Sequence, residues 1–182
     1  MKLKIIDHRH KKDILLLCEL IKTIWNECFF DVIEQNAISY ICYFIKPEII
    51  KREIKEEGVN YYFVTLEREI IGYFSYSVKE DGLNLSRIYF LKDYRFYGLG
   101  KCVFEEIKKI AIKNNTNKIY LYVDIRLNKA ISIFESWGFK NIKQVARYIG
   151  KNFWFRNYKM EYIIKSWFYF VLFLIQKAQS HI

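Results

Sequence analysis

Apolar residues recur at helical spacing through the first third of the chain and as short aromatic or β-branched runs through the rest, so the sequence has two textures. Residues 3–6, apolar but for Lys4, precede the polar His8-Arg9-His10 connection, which predicts a short first strand. Taking Asp13 as an N-cap, Leu16, Leu17, Leu20, Ile21, Ile24 and Trp25 then line one side of an amphipathic helix. A second apolar stretch covers residues 32–44. After it Pro47 opens a helix that Gly58 closes, with Ile49, Ile50 and Ile54 on one side. From Asn60 the pattern changes. Residues 61–66 and 70–78, separated by Glu67, Arg68 and Glu69, predict a hairpin, and residues 83–91 after Gly82 predict a third antiparallel strand. Beyond a loop at 92–100, Val103, Phe104, Ile107, Ile110 and Ala111 define a helix that stops in Asn114, Asn115, Thr116 and Asn117. A strand at 119–125, a helix at 128–137 closed by Gly138, and strands near 141–148 and 155–164 complete the order. Consecutive strands interrupted by a crossover helix predict an α+β fold. The expected form is a mixed, mostly antiparallel sheet of six to seven strands with helices on both faces, in a single domain over residues 1–164.

Composition narrows the function classes. The 182 residues are 52% hydrophobic, enough to build one core and too apolar for a disordered or low-complexity chain. The 30 Lys+Arg exceed the 20 Asp+Glu, giving a net charge of +10 that favours anionic partners. These basic residues are dispersed, with no clustered arm and no recognition motif, so nucleic acid is not the expected partner. Cys18, Cys28, Cys42 and Cys102 form no C-x-x-C pair, and no signal peptide opens the chain. A reduced, cytoplasmic protein without disulfide frame or metal is the expectation.

The candidate chemistry lies in Arg95-Phe96-Tyr97-Gly98-Leu99-Gly100-Lys101, between a strand and a helix. A glycine-bearing strand-to-helix turn leaves the first helical N–H groups unpaired beside the positive end of the helix dipole, and both favour a phosphate. Arg95 and Lys101 add full charges. A dinucleotide fingerprint fails because Val103 stands where its third glycine would be. A Walker A loop fails at Arg95 and Cys102.

What fits is R-x-x-G-x-G, which resembles the acyl-CoA pyrophosphate loop of the GNAT superfamily of N-acetyltransferases. The likeness extends along the chain. Ile71-Gly72-Tyr73 resembles the start of that family's third strand, Arg87-Ile88-Tyr89-Phe90 the end of its fourth, and Tyr158-Lys159-Met160-Glu161 its last. Ala130, Phe134, Gly138 and Phe139 match a helix of the form N-x-x-A-x-x-x-Y-x-x-x-G-F at the same intervals. The resemblance implies a sheet whose fourth and fifth strands splay apart to admit the pantetheine arm of acetyl-CoA. By it, backbone groups of Ile88, Tyr89 and Phe90 meet the pantetheine, and Arg95, Phe96, Tyr97, Gly98, Leu99, Gly100 and Lys101 hold the pyrophosphate.

Two positions depart from the pattern. Leu127 replaces the customary Asn, with Asn128 displaced by one residue as the remaining coenzyme contact, and Phe134 replaces the Tyr that often protonates the leaving thiolate. Other hydroxyls are candidates for that proton: Tyr122 foremost, with Tyr89 and Tyr148. Ser86 stands where relatives often carry a basic Glu. Glu27 and Asp31 either reach the acceptor pocket or form a solvated helix end. His8 and His10 read as a surface connection and Cys102 as a buried packing residue. The implied activity is acetyl transfer from acetyl-CoA to a primary amine, on a small amine or polyamine or on a peptide or protein. The alternative is a coenzyme-binding module without turnover.

The chain closes on nine consecutive apolar residues, 167–175, flanked by Lys165 and Lys177. They are too few to span a bilayer, which takes about 20. Residues 165–182 are therefore expected to pack on the domain or against a second copy, ahead of contact with a membrane surface.

Overall fold

The computed structural model describes residues 1–29, 34–150 and 153–165. Asp31 and the apolar run at 167–175 lie outside the described residues. The elements, in order, are β1 (Lys2–Ile5), α1 (Lys11–Phe29), α2 (Gln35–Phe44), α3 (Pro47–Lys55), β2 (Asn60–Leu66), β3 (Glu69–Lys79), β4 (Gly82–Phe90), a 3-10 turn at Lys92–Tyr94, α4 (Leu99–Lys113), β5 (Lys118–Asp124), α5 (Asn128–Ser136), β6 (Lys140–Gly150) and β7 (Phe153–Ile163). They build one seven-stranded sheet in the order β1-β2-β3-β4-β5-β7-β6, antiparallel throughout except for the parallel pair β4–β5. That is the mixed, mostly antiparallel sheet the hydrophobic pattern predicts.

The period-two alternation of the strands sends side chains to two cores. One buries Ile14, Leu17, Ile21 and Ile24 of α1 and Ile50 of α3 on Tyr61, Phe63 and Tyr73 of the sheet. The other buries Val103, Phe104, Ile107 and Ala111 of α4 on Phe74, Leu85, Leu121 and Met160. Each such side chain contributes about 1.5–3 kcal/mol on leaving water. Helices therefore cover both faces, with α1 and α3 on one side and α4 and α5 on the other, while α2 packs with the end of α1 near Tyr89 and Leu127.

Asp13 is not the N-cap of α1. The helix starts two residues earlier, at Lys11, and Asp13 occupies its first turn, where its carboxylate meets the Lys4 ammonium at 2.9 Å. A carboxylate serves the helix dipole there as well as at a cap. Cys102 is exposed on the first turn of α4, where a buried packing residue was expected. The helix presents Val103 and Phe104, one and two residues on, to the core instead.

Pairing between β4 and β5 is short, and its cause is local. The β3–β4 register steps from Ser75↔Arg87 to Tyr76↔Leu85, so Ser86 is an extra, bulged residue. β4 and β5 pair at Leu83↔Ile119 and Asn84↔Tyr120, before the bulge, and nowhere after it among the described residues. A bulge bends its strand and ends regular pairing. Here it turns the last third of β4 away from β5.

A polar network holds the bulge in place. The Arg87 guanidinium donates to Glu53 Oε1 of α3 at 3.2 Å and to Ser75 Oγ at 3.5 Å, and it lies 5.3 Å from the centre of the Tyr61 ring. The Tyr61 hydroxyl donates to the other oxygen of Glu53. Burial, with the Glu53 charge beside it, pushes the Tyr61 hydroxyl far above the usual phenol range. Burial works against the Arg87 charge, but the Tyr61 and Glu53 oxygens outweigh it and keep the guanidinium charged. Only 17% of the Glu53 side chain and 28% of the Arg87 side chain are exposed, so the pair is a structural one. Glu53→Ala leaves both partners facing an apolar helix and is expected to cost about 3 kcal/mol, the low end for a broken buried pair. Urea unfolding measures it, and a loss under about 0.5 kcal/mol, the range of an ordinary surface substitution, would contradict the assignment.

Candidate functional site

Where β4 and β5 part, alternate residues of β4 turn their main chain in opposite directions. The Leu91 N–H donates to the Ile71 carbonyl at 2.9 Å, and the unbroken register from Gly72↔Phe90 to Ser75↔Arg87 carries the alternation back along the strand. Tyr89 and Arg87 therefore face β3 with their main-chain groups, whereas Ile88 and Phe90 face the gap that β5 has left. Of the three β4 residues singled out in the sequence, Tyr89 contributes a side chain to this region and the other two contribute backbone. The Phe90 carbonyl already accepts the Arg95 Nε at 2.8 Å.

The loop after β4 ends at the mouth of this gap. Phe96 and Gly98 are both left-handed, with φ of 69° and 76°, and Gly98 caps α4 without a side-chain hydrogen bond. Alternation of left-handed residues turns successive amides toward one point. The N–H groups of Phe96, Tyr97, Gly98, Leu99 and Gly100 have no acceptor among the described residues, and the first bonded amide of the helix is that of Lys101, 3.0 Å from the Gly98 carbonyl. The two glycines are required for different reasons. Gly98 has open space around it and serves its positive φ. A Cβ at Gly100 would come within 3.1 Å and 3.2 Å of the Trp137 ring. That indole stacks on Phe104 at 5.3 Å and seats the start of α4 against the end of α5.

Phe96 and Tyr97 are among the most exposed aromatics, at 78% and 77%. Phe96 borders a shallow groove with Asn128, Lys129, Ser132 and Ile133 of α5. The loop and Asn128 are thus brought to one edge, together with exposed Lys101. Leu127, in the customary Asn position, packs apolar against both the α4-side core and the cluster of Phe29, Ala37 and Ile38.

The catalytic candidates are spread out. Phe134 sits among aromatic rings, 5.4 Å from Trp137 and 5.8 Å from Phe139. Ser86 is the bulge residue itself, and its Oγ accepts from Asn84 Nδ2 at 3.2 Å. Tyr122 lies on the same side of the sheet, 47% exposed and 6.0 Å from the Tyr120 ring. Tyr89 is enclosed by Trp25, Phe29 and Tyr73, at 6.5, 6.4 and 5.8 Å between ring centres, and burial, aided by the nearby Cys28 thiol, raises its hydroxyl pKa well above the usual phenol range. It stays protonated at any working pH. Tyr148 lies at the far end of β6 against Trp154, with ring centres 5.1 Å apart. His8 and His10 lie in the surface connection before α1, near Asp7 and Asp13.

Three features escaped the sequence reading. Glu27, at the end of α1, accepts from the Lys92 N–H at 2.9 Å and from Arg95 Nη2 at 2.5 Å, so its carboxylate is engaged by the segment that follows β4. Asp124, 5% exposed at the end of β5, accepts from Arg126 N, Nε and Nη2 at 2.9, 2.8 and 2.7 Å and fixes the turn into α5. Trp25 Nε1 and Tyr73 Oη lie buried side by side without reaching hydrogen-bond geometry. Only Asp124 left a trace in the sequence, as a carboxylate ending an apolar strand. The other pairings join residues far apart in the chain.

Comparison with known proteins decides the family. The family described as "Acetyltransferase (GNAT) domain" matches residues 31–162, most of the chain. The chain belongs to the GNAT acetyltransferase family. Solved GNAT structures share the fold at low identity. The PaiA N-acetyltransferase of Thermoplasma acidophilum, in complex with coenzyme A, is 20% identical with a TM-score of 0.71, over 90% of this chain and 99% of that one. The ribosomal-protein-S18-alanine N-acetyltransferase of Escherichia coli is 15% identical with a TM-score of 0.65, over 90% and 94%. YncA of Salmonella typhimurium, with its cofactor acetyl-CoA, is 14% identical with a TM-score of 0.60, over 91% and 94%. A GNAT domain makes the protein an acyltransferase. Among the described residues there is no group of metal-ligating side chains, and no helix long and apolar enough to cross a membrane.

Proposed function

We propose that this GNAT protein transfers an acetyl group from acetyl-CoA to a primary amine, carried by a small amine or polyamine or by a peptide or protein. The observation that carries the reading is the run of unpaired amides at Phe96 to Gly100, opening beside the end of β4, which has no pairing with β5 after Asn84 among the described residues. The residues present fit acetyl-CoA. The amides of the loop, the dipole of α4 and the Lys101 ammonium suit the pyrophosphate, and the facing groups of Ile88 and Phe90 suit the amides of a pantetheine arm lying where β5 has withdrawn. Phe96 and Asn128 border the groove beside them. The four free cysteines support a reducing, cytoplasmic setting.

When bound, acetyl-CoA supplies a thioester carbonyl that a neutral amine attacks directly, with the thiolate as leaving group. The chain's tasks are then to position the two partners, to relieve the ammonium of its proton, and to return a proton to the sulfur. Ser86, on the bulge between the two strands, has no basicity of its own and serves by holding a water to carry the amine's proton outward. Tyr122, exposed on the same side, is the phenol that donates to the thiolate in this reading, because Phe134 has no proton and the Tyr89 ring packs against Trp25 and Phe29 of α1. Net positive charge across the surface favours the anionic coenzyme over its competitors.

Thiol release from acetyl-CoA, followed against a panel of polyamines, small amines and peptide N-termini, tests the reading. Acetyl-dependent release with at least one amine is expected, and coenzyme binding without release across the panel would favour a non-catalytic module. With an active amine in hand, Tyr122→Phe is expected to lower kcat by about 10²-fold while leaving the KM for acetyl-CoA unchanged, the signature of a lost general acid. An unaltered kcat would remove Tyr122 from the mechanism.

A further inference from the structure

Arg95 heads the phosphate-loop motif, yet its guanidinium points into the protein. Nε donates to the Phe90 carbonyl at 2.8 Å and Nη2 to Glu27 Oε2 at 2.5 Å. The same carboxylate oxygen accepts the N–H of Lys92 at 2.9 Å, the first residue of the 3-10 turn between β4 and the loop. The Arg95 and Glu27 side chains are 21% and 27% exposed, shielded enough for a charge-assisted bond to persist in salt. Arg95 is 68 positions from Glu27 in the chain, so the contact ties the end of α1 to the segment that sets the direction of the Phe96 to Gly100 amides.

Tyr94, just before Arg95, also donates its hydroxyl to Glu69 Oε2 at 2.6 Å, but the residues after Arg95 have little else to hold them. Phe96, Tyr97 and Gly98 are exposed, Gly98 has no neighbour near its α-carbon, and the five loop amides make no hydrogen bond among the described residues. The left-handed Phe96 follows Arg95 directly, a conformation that an aromatic residue adopts only under constraint from its flanks. One flank is α4, seated on Trp137. The other is Arg95.

We propose that Glu27 is a positioning residue for the coenzyme loop: by holding Arg95 and the Lys92 amide it fixes the loop amides in register with the β4 edge, and Arg95 acts as the loop's anchor rather than as a ligand of the phosphates. This rests on the acetyl-CoA reading for its functional consequence. It also makes α1, which leads toward α2 and the cluster that roofs the splayed strands, mechanically continuous with the coenzyme loop.

Calorimetric titration with coenzyme A separates the possibilities, using Glu27→Gln, Glu27→Asp, Arg95→Gln and the double variant Glu27→Gln/Arg95→Gln. Loss of a charge-assisted bond is expected to raise the Kd of Glu27→Gln about tenfold, with Glu27→Asp recovering part of it and the double variant no weaker than Arg95→Gln alone. If Arg95 were instead a phosphate ligand restrained by Glu27, Glu27→Gln would bind as tightly as the wild type or more so while Arg95→Gln weakened, which would overturn the proposal. A lowered Tm with Kd unchanged would also overturn it, since the bridge would then be structural only. A second readout needs no coenzyme: amide exchange at Lys92, Tyr94 and Arg95 is expected to quicken in Glu27→Gln, and unchanged exchange would refute the anchor. Failure of the wild type to bind coenzyme A would instead refute the acetyl-CoA reading and leave the anchor to be judged on exchange alone.

Discussion

Main-chain hydrogen bonding between β4 and β5 stops at Asn84, and the rest of the site depends on that interruption. A parallel pair in the middle of a sheet would ordinarily continue for the length of its strands, because each unpaired backbone group left in a dry interior costs about 1–3 kcal/mol. Here the extra residue Ser86 rotates the end of β4 out of register, and the Arg87–Glu53–Tyr61 network holds the neighbouring residue under α3, so the chain cannot slip back. The result is a stretch of sheet edge inside the molecule, facing a loop of unpaired amides. Both surfaces lack the same thing, hydrogen-bonding partners, and a molecule with amides at one end and phosphates at the other satisfies both together.

The two sides of the sheet contribute unequally. On the α4 side, aromatic stacking of Phe104, Trp137, Phe134 and Phe139 gives a rigid seat for the helix whose N-terminus forms the loop. On the α1 side, the polar groups near the splay are largely engaged with one another: Glu27 with Arg95, Asp124 with Arg126, Glu53 with Arg87. These carboxylates are each committed to a guanidinium of the fold. The proposed proton route accordingly uses hydroxyls and water, at Ser86 and Tyr122, with no phenol at residue 134.

The sequence made most of the architecture legible, because its information is local. The aromatic and β-branched run at 70–78 and the helical spacing from Val103 to Ala111 report burial directly, and β3 and α4 stand where they predict. The loop was legible for the same reason, since a left-handed cap at Gly98 and a close packing contact at Gly100 are demands on two positions separated by one residue. The start of α1, at Lys11, was misjudged because Asp13 suits a first turn as well as a cap. Long-range pairings left no such trace. Nothing near Glu27 signals Arg95, and nothing near Glu53 signals a bulge at Ser86, because a carboxylate on a helix reads as solvated until the fold sets a cation beside it.

Amide NMR of the uniformly labelled protein, titrated with coenzyme A, tests the central claim most directly. The account predicts that the largest proton shifts and the greatest slowing of solvent exchange fall on the amides of Phe96, Tyr97, Gly98, Leu99 and Gly100 and on those of Ile88 and Phe90, while Tyr89, whose amide already faces β3, changes little. Perturbations that leave those seven amides untouched and gather elsewhere on the surface would contradict it.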